Sequence, residues 1–213
     1  AGDDGQAALD YLLDEGRAVD ALFITHLHMD HTGGVGALLD NGVRIRQAYL
    51  PVNATQQRVD PNALELLARL REAGVPVTFL ARGDRLSYNE TAVEVLWPVR
   101  ENARTGQDAN DLPLVLAIDF GGYTLLSASD LTGAYEAYAA VPADVLKVAH
   151  HGSSQSSESG FLKQVSPAFA LVSCSSGSRS LPGADTLERL AQSGARVLRT
   201  DLDGDITLTL QNG

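Results

Sequence analysis

The sequence predicts a mixed α/β layered domain, on three observations. Short, continuous apolar runs bounded by turn residues alternate with segments of helical periodicity. A Gly121-Gly122 pair separates two apolar runs as a β-hairpin turn would. Clusters of histidine and aspartate come directly after apolar runs, at the C-terminal ends of the expected strands.

Element by element, residues 5–16 carry helical spacing and stop at Gly16. The run 21–25 reads as a buried strand. After the His cluster that succeeds it, Gly33-Gly34 is expected to turn the chain into a helix over 35–39. A strand is expected over 43–50, and Pro61 opens an amphipathic helix (Leu64, Leu66, Leu67, Leu70) ending at Gly74. Strands over 75–80 and 92–99 precede a polar loop, 100–111, without a helix or strand signal. The hairpin 114–120 and 123–128 comes next, then a short helix around Tyr135 and a strand over 145–149. The chain closes with strand 168–174, helix 186–191 and strands 196–199 and 206–210. With no internal repeat and no linker, residues 1–213 read as a single domain, and its two sheets are both expected to be mixed.

Composition narrows the class. The chain has 213 residues and an apolar fraction of 44%, enough for a real core. No apolar run is long enough for a membrane span. The net charge of −11 argues against binding nucleic acid through bulk charge, although bound cations can reverse the field locally. The single Cys174 excludes an intrachain disulfide and reads as a buried, inert thiol. The opening Ala-Gly-Asp-Asp is neither a signal nor a transit peptide and lacks Met, which suggests a piece of a longer protein.

The five histidines carry the chemistry. All of them lie in two short clusters: His26, His28 and His31, then His150 and His151. In extended backbone, His26 and His28 leave the chain on one side and can share an ion. Asp30 and His31 come at once after them and would face a second ion. Imidazole and carboxylate together suit zinc, manganese or iron. Asp130 ends an apolar run, where a carboxylate is costly unless paired or ligating, and one Asp can bridge two ions. Of His150 and His151, one is expected to be a ligand and the other a hydrogen-bonding or proton-donating neighbour. The sequence does not distinguish them.

The run Thr25-His-Leu-His-Met-Asp-His-Thr-Gly-Gly34 resembles the signature of the metallo-β-lactamase fold superfamily. Four further segments are similar to the C-terminal domain of the ComEC family of DNA-uptake competence proteins. They are Asn110-Asp-Leu-Pro-Leu-Val-Leu116, Gly122-Tyr-Thr-Leu-Leu-Ser-Ala-Ser-Asp130, Leu146-Lys-Val-Ala-His-His-Gly-Ser153 and Val197-Leu-Arg-Thr-Asp-Leu-Asp-Gly-Asp-Ile206. The resemblance covers nearly the whole chain. It implies a four-layer αββα sandwich with a dinuclear metal site at one edge, here without the superfamily's first strands. His26, His28, Asp30, His31, Asp130 and one or both of His150 and His151 fall on ligand positions. The chain departs from the superfamily at Asn110-Asp111, where a further His is usual, and at Pro182-Gly183-Ala184, where a Gly-His-Pro is usual.

These features lead to a metal-dependent hydrolase, foremost a phosphodiesterase or nuclease acting on DNA during uptake. Asp30 and Asp130 are its expected catalytic carboxylates, and one or two zinc or manganese ions per chain its cofactor. The ion served by Asp30, His31, Asp130 and one of His150 or His151 is expected to be held more tightly than the one served by His26 and His28. Asn110, Ser153 and Arg179 are candidate substrate contacts. The resemblance adds the membrane channel of a parent protein as a partner outside this chain. The alternatives are a hydrolase of lactones, thioesters or β-lactams on the same site, and an inactive metal-binding module.

Overall fold

A computed structural model describes residues 5–16, 18–54, 61–102, 108–178 and 180–209. The chain divides into two compact units, one of residues 1–81 and 98–114, the other of residues 82–97 and 115–213.

The first unit holds α1 (Gln6–Asp14), β1 (Leu22–Phe23), α2 (Met29–Asp40), β2 (Ala48–Pro51), α3 (Pro61–Glu72) and β3 (Val77–Leu80). Its sheet runs β1-β2-β3 and is wholly parallel, correcting the expectation of two mixed sheets. The physical reason is that each strand returns through a helical crossover, and a crossover joins strands in parallel. β2 is buried along its whole length, as a strand covered on both faces must be. Ile24, Leu27, Val35, Leu50, Leu66 and Leu70 belong to the core that α2 and α3 share with this sheet.

Two expectations fail here. The apolar runs 21–25 and 43–50 yield only two and four strand residues. The helix begins at Met29, within the His cluster and directly after His28, so Gly33-Gly34 lie inside α2 rather than in a turn before it. Glycine weakens a helix interior by about 1 kcal/mol. Close packing explains its use at Gly34: a Cβ on Gly5 would stand 2.5 Å from the Gly34 Cα.

The second unit holds β4 (Arg85–Tyr88), β5 (Thr91–Trp97), β6 (Val115–Phe120), β7 (Tyr123–Ser127), α4 (Gly133–Ala139), β8 (Val145–Lys147), α5 (Ser159–Val165), β9 (Phe169–Val172), α6 (Ala184–Gln192), β10 (Arg196–Arg199) and α7 (Thr200–Asp203). Its seven-stranded sheet runs β10-β9-β8-β7-β6-β5-β4. β4 to β7 form an antiparallel meander, while β7 to β10 are mutually parallel. The hairpin is where the glycines place it, with Phe120 opposite Tyr123 and both turn residues at positive φ. Trp97 is buried and packs against the rings of Tyr135 and Tyr138 on α4. β4, α5 and α7 had no expectation. Of the strand expected over 206–210, residues 206–209 are not in a strand and 210 lies outside the described residues. Cys174 is half-exposed rather than buried. Partial burial, with the Asp201 carboxylate 3.1 Å from Sγ, pushes its thiol up, which suits an inert role.

Candidate metal-binding clusters

The first cluster is built at the C-terminal end of β1. The strand is anchored on one side by Ile24 N–H donating to Tyr49 O and on the other by Leu114 N–H donating to Thr25 O. Thr25 to His28 then run irregularly into α2, whose first turn closes on the His28 carbonyl through the N–H groups of His31 and Thr32 and the Thr32 hydroxyl. Three imidazoles are thereby gathered. His26 is fully buried, and its ring lies 4.7 Å from that of His28 and 4.1 Å from that of His31. His31 is therefore a ring neighbour of His26. Asp30, exposed in the first turn of α2, places its Oδ2 3.6 Å from His31 Nε2.

Thr25 orders this cluster. Its Oγ1 lies 3.3 Å from His26 Nδ1 and 3.4 Å from His31 Nδ1. One hydroxyl oxygen with two lone pairs can accept from both Nδ1–H groups, which makes Nε2 of each ring the atom able to ligate a cation. His26 Nε2 and His28 Nδ1 are 3.1 Å apart. Two nitrogens bound tetrahedrally at ~2.0–2.1 Å from zinc would sit roughly 3.4 Å apart, so the pair fits one coordination edge. In the same unit, Asn110 stands in the short turn leading to Leu114, and its Oδ1 is buried without a hydrogen-bond partner among the described residues.

The second cluster is built on three adjacent parallel strands of the larger sheet. β7, β8 and β9 end at one edge and lead into Ser129-Asp130, His150-His151 and Ser173 in turn. Ligand sites at the carboxyl ends of parallel strands are the general rule for open α/β sheets. His150 N–H donates to Ser129 O at 2.9 Å, tying the two loops. Asp130 is 1% exposed, and its Oδ2 is 3.5 Å from His151 Nε2 and 3.9 Å from His150 Nε2. His151 Nδ1 sits 2.8 Å from Ser173 O. A carbonyl only accepts, so Nδ1 carries a proton, and Nε2 is the ring atom nearer Asp130. His151 is thus oriented through its Nδ1 by a backbone carbonyl, a support the sequence could not assign.

Backbone strain is concentrated here. Ser129, His150 and His151 all hold φ near +50°, a region that costs L-residues free energy and persists only where the surroundings impose it. Gly152, at φ +81°, admits Pro182: a Cβ on it would stand 2.6 Å from the Pro182 Cβ, and its carbonyl accepts from Gly183 N–H at 2.8 Å. Pro182-Gly183, the segment lacking the superfamily's usual His, therefore packs under the second cluster.

Of the expected substrate contacts, Ser153 spends its hydroxyl oxygen on Gln155 N–H and its carbonyl on the Thr186 hydroxyl, so it shapes the loop. Arg179 lies outside the described residues. Thr25 and Ser173 were not singled out from sequence. The first carries a signal, since it immediately precedes His26, but the second acts only through its carbonyl and is invisible in side-chain chemistry.

Comparison with known proteins agrees with this geometry. The profile of the Metallo-beta-lactamase superfamily matches residues 1–43, which include the whole first cluster. ComE operon protein 3 of Bacillus subtilis is 32% identical over 202 residues, covering 92% of this chain and 25% of that protein. The chain spans about a quarter of the length of the curated relatives it matches. Among solved structures, the metallo-β-lactamase fold protein YhfI from Bacillus subtilis superposes with a TM-score of 0.54 at 14% identity, over 91% of this chain and 80% of that one. CmlA, a diiron β-hydroxylase from Streptomyces venezuelae, gives a TM-score of 0.53 at 16% identity, over 85% of this chain and 44% of its own.

Proposed function

With this chain a metallo-β-lactamase-fold protein of the ComEC-like kind, we propose that it is a metal-dependent phosphodiesterase that cuts DNA strands during uptake. The observation that carries the reading is the pair of preformed clusters, each with ring nitrogens oriented through a neighbouring oxygen. His26, His28, His31 and Asp30 of the first cluster, and Asp130 and His151 of the second, are the proposed ligands for one or two divalent ions. A bound ion there supplies water that ionises near neutral pH, and positive charge opposite the reacting phosphoryl group. Manganese fits this donor set as well as zinc does, because two carboxylates and the Asn110 oxygen are hard donors.

The chain's own residues set the rest. Thr25 and Ser173 hold three imidazoles in the ligating tautomer. Asp30, the exposed carboxylate, is placed to accept a proton from the attacking water and pass it to solvent. Buried Asp130 brings negative charge that concentrates cations at the strand ends. His150, beside Asp130 and 29% exposed in its side chain, is placed to protonate the leaving oxygen. In a parent protein of the kind the relatives represent, a membrane channel would deliver the strand.

The test compares bis-nitrophenyl phosphate, a short single-stranded oligonucleotide and a lactone as substrates, with manganese and with chelator. Phosphodiester cleavage should need the metal and exceed lactone opening. Asp130→Asn should lose about 10²–10³-fold in rate, the scale of removing a principal electrostatic group. Chelator-resistant cleavage, or an Asn variant as fast as wild type, would refute the reading.

A further inference from the structure

A pocket of about 370 Å³ opens at α5 and α6 in the second unit, and none of its described lining residues is acidic. That is unusual in a chain with a net charge of −11. Two cations line it, Lys163 on α5 and Arg189 on α6, with Ser159, Ser166 and Gln192. Lys163 is exposed, and among the described residues its ammonium has neither a hydrogen bond nor an ion pair.

Arg189 differs from an ordinary surface arginine. Its Nε donates to Ser157 O, and its Nη2 to Ser154 O, Ser156 O and Thr186 Oγ1, at 2.9 to 3.1 Å. Every one of these partners is a neutral oxygen, so the guanidinium plane is fixed without a direct ion pair among the described residues, and an acidic influence reaches it from the buried Glu136 carboxyl behind the same loop. The two N–H groups of Nη1 are not spent on any described residue. A cation held rigidly, with spare donors, in the lining of a cavity that also has an ammonium and two uncommitted hydroxyls is preorganised for a tetrahedral oxyanion. A carboxylate would use one edge of that arrangement; a phosphate can engage both cations and the hydroxyls together.

We propose that this pocket binds a phosphate group, namely a phosphate of the nucleic-acid strand away from the bond being cut. The choice of a strand rests on the phosphodiesterase reading; the choice of phosphate rests on the pocket alone. Arg189 links the two places, since the carbonyls it holds belong to the loop directly after His150-His151-Gly152.

The experiment measures binding of a labelled oligothymidine to the whole chain with chelator present, so that no cleavage is required. It uses wild type, Lys163→Gln and Lys163→Arg, with equal thermal midpoints as the check on folding. Lys163→Gln should weaken binding about three- to tenfold and lower the slope of log affinity against log salt by roughly 0.7, the share of one phosphate contact on a single strand. Lys163→Arg should restore both, and inorganic phosphate should displace the oligonucleotide from wild type. Bis-nitrophenyl phosphate, too small to span both places, should be turned over equally by wild type and Lys163→Gln. Oligothymidine binding indifferent to Lys163, in affinity and salt slope, overturns the proposal, even if inorganic phosphate alone still stabilises the protein. Lys163-dependent binding by a protein that cleaves no phosphodiester would sustain the pocket and refute the catalytic reading instead.

Discussion

Replacing Gly152 by alanine tests whether the second cluster is held by packing at its backbone. The substituted Cβ would lie 2.6 Å from the Pro182 Cβ and 3.3 Å from both the Pro182 Cα and a Val172 methyl. Carbon atoms prefer about 3.5–4.0 Å, so the loop or the Pro182 segment must move by roughly an ångström. The residue also sits at φ +81°, which costs an L-residue about 1–2 kcal/mol. Overpacking of this degree adds about 1–3 kcal/mol, giving a loss of roughly 2–5 kcal/mol. Gly122 supplies the control: its φ is +83°, but a Cβ there meets nothing within 4 Å. Gly122→Ala should therefore show only the conformational part, about 1–2 kcal/mol. Urea unfolding at fixed pH, monitored by both fluorescence and circular dichroism, measures the two losses. Because His150 and His151 precede Gly152 at φ 48° and 54°, Gly152→Ala should also weaken divalent-metal binding, and Gly122→Ala should not. Equal losses for the two variants would show that Pro182 yields freely and that packing does not impose the strained backbone.

The geometry sets three further outcomes. Thr25→Val keeps the shape but removes the oxygen beside two Nδ1 atoms, so metal affinity should fall about 10–100-fold by calorimetric titration, the usual effect of losing such a support. Glu136 is buried, and burial raises its carboxyl to about 7, against the lowering effect of the Glu158 and Ser157 N–H groups. Between pH 4.5 and 7 the folded chain then holds a proton the unfolded chain has lost, so stability falls as pH rises through that window, by up to about 3 kcal/mol. Glu136→Gln should flatten that part of the urea-midpoint profile; an unchanged profile would deny the group its raised value. Saturating manganese at about 100 times its dissociation constant should add about 2.7 kcal/mol of stability, which chelator removes; thermal scans that ignore both would argue against a native-state metal site.

How much of the fold was legible depended on how local its causes are. The hairpin at Gly121-Gly122 stems from two residues that tolerate positive φ, and it forms where expected. Helix α3 stems from the leucine spacing after Pro61. β4 was missed because Arg85-Leu-Ser-Tyr88 is mostly polar, an edge strand held by pairing to β5 rather than by burial. The start of α2 was misplaced because Gly33-Gly34 is a breaker by propensity, and propensity does not register the close approach of Gly34 to Gly5. Propensity speaks for a residue alone, and the competing contact came from a glycine far back along the chain, on the other side of α1 and β1.

The site divides along the same line. The candidate ligand side chains were visible as a pattern, because histidine and carboxylate clustered at a strand end have few other uses. What decides between His150 and His151 is not in either side chain. Both have φ near +50° and both rings come within 4 Å of Asp130. His151 has the Ser173 carbonyl at its Nδ1, and that carbonyl is there because β9 runs parallel to β8 and ends beside it. The orientation of the His151 ring is thus set by strand order, and the proposed division into ligand and proton donor rests on it. A swap of roles is the sharpest check on that argument. His151→Ala should abolish tight manganese binding, while His150→Ala should leave affinity within a few-fold and lower turnover most for substrates with poor leaving groups, where protonation matters. Equal loss of metal in both variants would mean that the Ser173 carbonyl does not select the ligand.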